Sequence, residues 1–168
     1  DIDGLMTNVP GLVLVTSYAD CVPLYFVDPV KKAVALSHSG WKGTAHQMGK
    51  VTVEAMKREY GCDPKDILAC IGPSICQDCY EVSEDVFMQI EAIMPENAGR
   101  EFFYQKENGR YQLNLWKVNE QILQNAGILK EHICVTDLCT CCNPSIFFSH
   151  RASGGKRRNL SAFLGIRG

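Results

Sequence analysis

Short apolar, β-branched runs alternate along this chain with longer segments in which apolar side chains recur every three or four positions. Runs of the first kind, at 12–18, 22–28 and 33–38, predict strands, because branched side chains suit an extended, half-buried backbone. Asp28-Pro29 through Lys32 carries the turn chemistry between the last two. Residues 44–60 predict a helix: Thr44 is a candidate N-cap, Ala45, Met48, Val51 and Ala55 share one face, and Gly61 ends it. A short buried strand follows at 67–71 and stops at Gly72-Pro73.

The second half uses the same kinds of element without internal repetition. A helix is predicted at 83–94, with Glu84 and Asp85 complementing its dipole and Pro95 beyond its end. Segments 101–105 and 111–113 flank Glu107-Asn108-Gly109-Arg110, a hairpin signal. Asn114 caps a helix in which Leu115, Val118, Ile122 and Ala126 line one side and which Gly127 closes. Further strands are predicted at 132–137, 146–149 and 159–166, with Ser153-Gly154-Gly155 as a mobile loop. Strands, helices and hairpins interleave, so the expectation is an α/β (α+β) fold with a mixed rather than purely parallel sheet. No linker divides the chain, and residues 1–168 read as a single domain.

Composition narrows the function classes. At 168 residues and 46% hydrophobic content the chain can bury one real core. A net charge of −2 offers no field for nucleic acid or a membrane surface. The apolar runs are too short to span a bilayer, and neither a signal peptide nor a lipidation motif is visible, which predicts a cytoplasmic protein. The chain opens at Asp1 without a methionine and turns strand-like at once, so an upstream segment is expected. Nine cysteines make an odd count, and Cys70 and Cys134 sit inside apolar strands. Both facts speak for reduced thiols rather than a secreted disulfide framework.

The chemistry concentrates at two strand ends. Cys21, in Ala19-Asp20-Cys21-Val22-Pro23, closes one apolar run, and His38, in His38-Ser39-Gly40-Trp41-Lys42-Gly43, closes the next. Alone, each is ordinarily a buried thiol or a hydrogen-bonded imidazole. Together on neighbouring strands they form a thiolate–imidazole set suited to zinc or copper, or a cysteine–histidine dyad. The glycine-flanked turn supplies unpaired amides at a helix start, and Lys42 beside it is a candidate phosphate contact. Two close cysteine pairs, in Cys76-Gln77-Asp78-Cys79 and in Cys139-Thr140-Cys141-Cys142, offer soft ligands for a structural zinc. The adjacent Cys141-Cys142 geometry is poor for that purpose, and the expectation is against it. Arg151, Lys156, Arg157, Arg158 and Arg167 make the C-terminal stretch basic.

These segments also carry a resemblance. Asp3-Gly4-Leu5-Met6-Thr7, the Cys21 and His38 motifs, Ile71-Gly72-Pro73-Ser74-Ile75, Cys79-Tyr80-Glu81-Val82, Asp137-Leu138-Cys139-Thr140 and Phe147-Phe148-Ser149-His150-Arg151 stand in this order. Together they resemble the YfiH-type family, once called multicopper polyphenol oxidases or laccases and associated with purine nucleoside phosphorylase, adenosine deaminase and methylthioadenosine phosphorylase activities. The resemblance implies a mixed β-sandwich with helices packed outside and a catalytic zinc held by two histidines and a cysteine. Cys21 and His38 match two of those ligands. The third, a histidine, stands upstream of the Asp-Gly-Leu motif in the family, and so upstream of Asp1 here. His150, His46 and Cys139 are the substitutes this chain offers. Lys42 replaces the family's arginine, and Lys156-Arg157-Arg158-Asn159 stands where the family often has Thr-Gly-Arg.

The expected activity is phosphorolysis of adenosine-, inosine- or guanosine-type nucleosides, and of methylthioadenosine, with adenosine deamination as a companion. In it, Cys21 and His38 hold zinc, with copper as the alternative, and Asp20 orients a ligand. Lys42, Gly43 and Arg151 receive phosphate, and Glu81 approaches ribose hydroxyls. Competing readings are a Cys21–His38 hydrolase or deamidase, a copper-dependent phenol oxidase, and an inactive truncated interaction module. The partners foreseen are purine nucleosides and phosphate, with no nucleic acid or membrane, and with homo-oligomerisation open. Four histidines are few for a multicopper enzyme.

Overall fold

The structure is a computed structural model, and it describes residues 3–156 and 158–168. Its main sheet is built on strand β4 (Ala33–Ser39), paired antiparallel with both β1 (Gly4–Thr7) and β3 (Val22–Asp28). β5 (Leu68–Ile71) adds antiparallel to β3, and β9 (Ile133–Val135) adds parallel to β5. The result is a mixed five-stranded sheet in the order β1-β4-β3-β5-β9.

Side-chain alternation divides this sheet into two faces. On one, Ala33 and Ala35 of β4 and Val22, Leu24 and Phe26 of β3 meet helices α2 (Met48–Tyr60) and α4 (Leu115–Asn125) in the main core. Ser37 belongs to this side too, its hydroxyl 2.7 Å from that of Thr52 on α2. On the other face, Val34 and Leu36 meet a two-stranded ribbon of β2 (Val13–Tyr18) and β10 (Leu160–Gly165), through Leu14, Tyr18 and Ala162. Sheet, ribbon and outer helices make the predicted mixed sandwich.

A third sheet, β6-β8-β7, is built from Glu81–Val82, Tyr111–Leu113 and Phe103–Gln105. Helix α3 (Glu84–Glu91) leans on it through Phe87, whose ring stacks on Tyr111 at 3.9 Å. None of the described helices is long and apolar enough to cross a membrane.

Several expectations need correction. The helix at 44–60 is two: α1 (Trp41–Ala45) and α2, separated by Gln47 in the left-handed region at φ 54°. Thr44 is therefore no cap but a fully buried residue inside α1. The face of α2 that packs inward is Gly49, Thr52, Val53 and Met56, whereas Val51 is 51% exposed. Segment 146–149 is turn and loop, with Ile146 72% exposed. β9 begins only after a 3₁₀ turn at Lys130–His132. β1 and β6 are too short to show a period of their own. Asn114 does cap α4, its side-chain oxygen accepting from the Lys117 amide at 3.1 Å. Arg157 lies outside the described residues.

Candidate metal and substrate site

Antiparallel register carries the two strand-end residues together. Pro23 pairs with His38, and Cys21, two residues before Pro23, points to the same ribbon-side face. The space between them is kept by Gly40: a Cβ there would stand 2.8 Å from Cys21 Sγ and 3.9 Å from His38 Nε2. Sulfur and ring nitrogen thus border a cradle that any side chain on Gly40 would fill. The Tyr18 ring meets the His38 ring edge-on at 5.0 Å, and its hydroxyl donates to the Ser37 carbonyl at 3.1 Å. The imidazole is therefore held by packing as well as by its strand.

Both groups are protonated as neutral donors would be. Burial, followed by the charges of Asp20 and Asp3, pushes the Cys21 thiol up to about 11. Burial lowers His38, partly opposed by Asp3. A neutral imidazole is a ready ligand, and a soft thiol gives up its proton to a cation rather than to solvent. Thiolate plus imidazole on one cradle fits zinc. Among the described residues no third histidine, cysteine or carboxylate completes a set with Cys21 and His38. Of the substitutes, His46 Nδ1 lies 2.8 Å from the Lys42 carbonyl, and Cys139 belongs to a separate thiol cluster.

Asp20 takes φ 77° and so turns its carboxylate inward just before β3. One oxygen accepts from the Thr140 hydroxyl at 2.6 Å, the other from the Arg151 amide at 2.7 Å. Its carbonyl accepts from the Ile75 amide at 3.0 Å. Asp20 therefore gathers three loops around Cys21, a bracing role that engages both of its carboxylate oxygens.

Beside Cys21 opens a cleft of about 170 Å³ lined by Ile75, Tyr80, Leu115, His150 and Arg151. The Arg151 guanidinium donates to the carbonyls of Cys79 and Glu81, each at 3.2 Å, and lies 5.6 Å from the Tyr80 ring. Burial, with Cys21 and Asp20 adding to it and Arg151 opposing, pushes the Tyr80 hydroxyl up to about 12. Tyr80 was legible only as part of a motif, and His150, read as a substitute metal ligand, stands instead in the wall of this cleft.

The remaining site residues lie elsewhere. Lys42 is exposed, its ammonium 5.5 Å over the Trp41 ring, and lines no part of this cleft. Thr44 N already donates to the Gly40 carbonyl, so only the amides of residues 41–43 precede the first bond of α1. Gly43 lets α1 settle on the end of β4, since a Cβ there would stand 3.1 Å from the His38 carbonyl oxygen. Glu81 turns its carboxylate to the hairpin, 2.6 Å from Lys106 and 3.4 Å from Asn108, and these partners hold it below the usual carboxylate range.

The larger correction concerns the cysteine pairs. The sulfurs of Cys76, Cys79, Cys139 and Cys142 all lie within 4.8 Å of one another. The second pair is thus Cys139 with Cys142, the same two-residue spacing as the first. Cys141, which suggested poor geometry, packs half-buried against the core.

Comparison with known proteins gives a consistent picture. A family model described as "Multi-copper polyphenol oxidoreductase laccase" matches residues 1–167. "Purine nucleoside phosphorylase YlmD" of Bacillus subtilis is 41% identical over 165 residues, which is 98% of this chain and 59% of that protein. "Adenosine deaminase RL5", from an unknown prokaryotic organism, is 36% identical over 155 residues, 91% of this chain and 58% of the relative. The crystal structure of YlmD from Geobacillus stearothermophilus superposes with a TM-score of 0.95 at 36% identity, covering all of this chain and 62% of its own. The chain thus spans about three fifths of the length of these relatives.

Proposed function

The chain belongs to the multi-copper polyphenol oxidoreductase laccase family, and on that footing we propose that it forms the larger part of a zinc-dependent purine nucleoside phosphorylase with adenosine deaminase as a companion activity. The observation that carries the reading is the convergence of Cys21 Sγ and His38 Nε2 on the Gly40 cradle, beside a cleft walled by Tyr80 and Arg151. The names of relatives supply the reaction class, phosphorylase in one and deaminase in another.

Phosphorolysis exchanges the bond from the anomeric carbon to the purine nitrogen for one to a phosphate oxygen. The purine leaves with the electron pair and takes a proton, and positive charge builds on the ribose as the bond loosens. Cys21 and His38 would hold zinc through a thiolate and an imidazole, and the ion would supply Lewis acidity toward an oxygen or a water. Arg151 is fixed by its two carbonyl bonds and its Asp20-held amide, and its remaining N–H groups, without a partner among the described residues, can receive an anion. Tyr80, protonated at neutral pH, offers a hydroxyl donor and a flat face to the cleft. Lys42, exposed over the Trp41 ring, attracts phosphate toward the amides of residues 41–43 without the bidentate fork of an arginine.

A cysteine hydrolase needs Cys21 ionised near neutrality, and its burial beside Asp20 and Asp3 opposes that. Copper chemistry draws on imidazoles, of which this chain has four. The test is ribose 1-phosphate release from inosine or adenosine by the longer protein in phosphate buffer. Release is expected, abolished by Cys21→Ala and by a strong chelator. A zinc-loaded protein that releases none, or a Cys21→Ala variant that works normally, overturns the reading. Activity that survives chelation points to the hydrolase.

A further inference from the structure

The geometry points to a structural zinc ion held by the four thiolates of Cys76, Cys79, Cys139 and Cys142, separate from the Cys21–His38 cradle. A zinc–sulfur bond of about 2.3 Å in a tetrahedron places neighbouring sulfurs about 3.8 Å apart. Here Cys79 Sγ and Cys142 Sγ are 3.4 Å apart, Cys76 Sγ and Cys142 Sγ 3.9 Å, and every other pair falls within 4.8 Å. Thiols are weak hydrogen-bonding groups and gain little by gathering in fours. A disulfide would use only two of them.

A second observation is the backbone around Cys139. Its sulfur accepts the amide of Cys142 at 3.4 Å and the amide of Cys76 at 3.3 Å. Two N–H donors aimed at one buried sulfur favour its thiolate, the form a metal needs. Each pair also sits in a tight turn: the Cys79 amide donates to the Cys76 carbonyl, and the Asn143 amide to the Cys139 carbonyl, each at 3.2 Å. A parallel bridge between Ser74 and Cys139 brings the two turns side by side. The ligand shell is thus prearranged by backbone bonds from parts of the chain about 60 positions apart.

Four sulfurs in a closed shell suit zinc or iron, and for a given site zinc binds above ferrous iron. With four protein ligands no position stays open, so the ion is structural rather than catalytic. Its place in the fold gives it a task. Thr140, inside the second turn, donates to Asp20, and the Cys79 carbonyl in the first accepts Arg151. The ion therefore clamps the outer wall of the cleft, and this holds whatever occupies the Cys21–His38 cradle.

The test uses the full-length protein and reads metal rather than turnover. In a Cys21→Ser background, which removes the thiolate of the Cys21–His38 site, one equivalent of zinc is expected by mass spectrometry. It should be lost in Cys142→Ser and in Cys79→Ser but kept in Cys141→Ser. Cobalt loaded into the same background should show the thiolate-to-metal charge transfer of a tetrahedral tetrathiolate site. For variants that fail to fold, stepwise mercuration of the parent thiols gives the same answer, with one zinc released as four thiols react. A Cys21→Ser protein that holds no zinc, iron in its place, or these four sulfurs recovered as disulfides would overturn the assignment.

Discussion

Gly40 shows how one absent side chain can define a site. Its φ of −70° and ψ of −176° are open to any residue, so backbone strain does not explain the glycine. Space does: a Cβ at 2.8 Å from Cys21 Sγ forces the sulfur aside. Gly40→Ala is therefore expected to fold normally, with a Tm close to that of the parent. Zinc affinity at the cradle should fall on the order of 10- to 100-fold, the range seen when a ligand loses its orientation. Competition with a chromophoric chelator measures it, and an unchanged affinity refutes the cradle. At this scale the sequence was readable where chemistry sat at strand ends, since Cys21 and His38 follow from antiparallel register alone. It was unreadable where a side chain's direction decided the matter. Asp20 turns inward only because of its positive φ, and Glu81 turns outward to Lys106. Cys139 and Cys142 were hidden by the intervening Cys141, which makes a two-residue spacing look like an adjacent pair.

The elements that carry the site are joined by one polar knot. Asn119 of α4 is fully buried, and its amide nitrogen donates to Thr44 Oγ1 at 3.1 Å and to the Leu115 carbonyl at 2.9 Å. Its oxygen accepts from Ser39 Oγ at 3.0 Å. Ser39 ends β4 and Thr44 lies in α1, so Asn119 fastens the turn that contains Gly40 and Gly43 to the helical layer. Replacing it by alanine leaves two buried hydroxyls short of a partner and opens a small void. Asn119→Ala should cost about 1–3 kcal/mol in urea unfolding, and the turn's amides should exchange with solvent faster than those of the β2–β10 ribbon. Loss of stability without faster exchange at 40–44 would place the knot's role in the core alone. The hydrophobic pattern located α2 and α4 but misjudged the first of them. A left-handed Gln47 leaves no mark on periodicity, and the inward face of α2 hides behind Thr52, which is buried because Ser37 is there to bond it. The strand expected at 146–149 failed for a related reason: an apolar turn and a four-residue strand look alike until a neighbour is known.

At the scale of the molecule, the ribbon has two faces of unlike fate. Leu14, Tyr18 and Ala162 point into the sandwich, while the alternate positions Val13, Val15 and Phe163 point out and are 57%, 46% and 63% exposed. Phe163 pairs directly with Val15, so the three side chains form one apolar strip. Among the described residues, β2 and β10 pair only with each other, leaving each an unpaired edge beside that strip. An apolar strip flanked by open strand edges favours association with further chain or a second copy. The 168-residue chain should therefore sediment as an increasing mixture of monomer and dimer as its concentration rises, and should bind an apolar dye such as ANS. Combining Val15→Thr with Phe163→Thr puts a strand-compatible β-branched side chain at both positions and touches nothing in the core. Its stability should stay within about 0.5 kcal/mol of the parent, while the dimer fraction and the dye signal both drop. A parent that remains monomeric across the range, or a double variant that associates as before, would show that the strip is inert. Because the strip lies on the face away from α2 and α4, its loss should leave zinc content untouched, which separates assembly from the chemistry of either metal site.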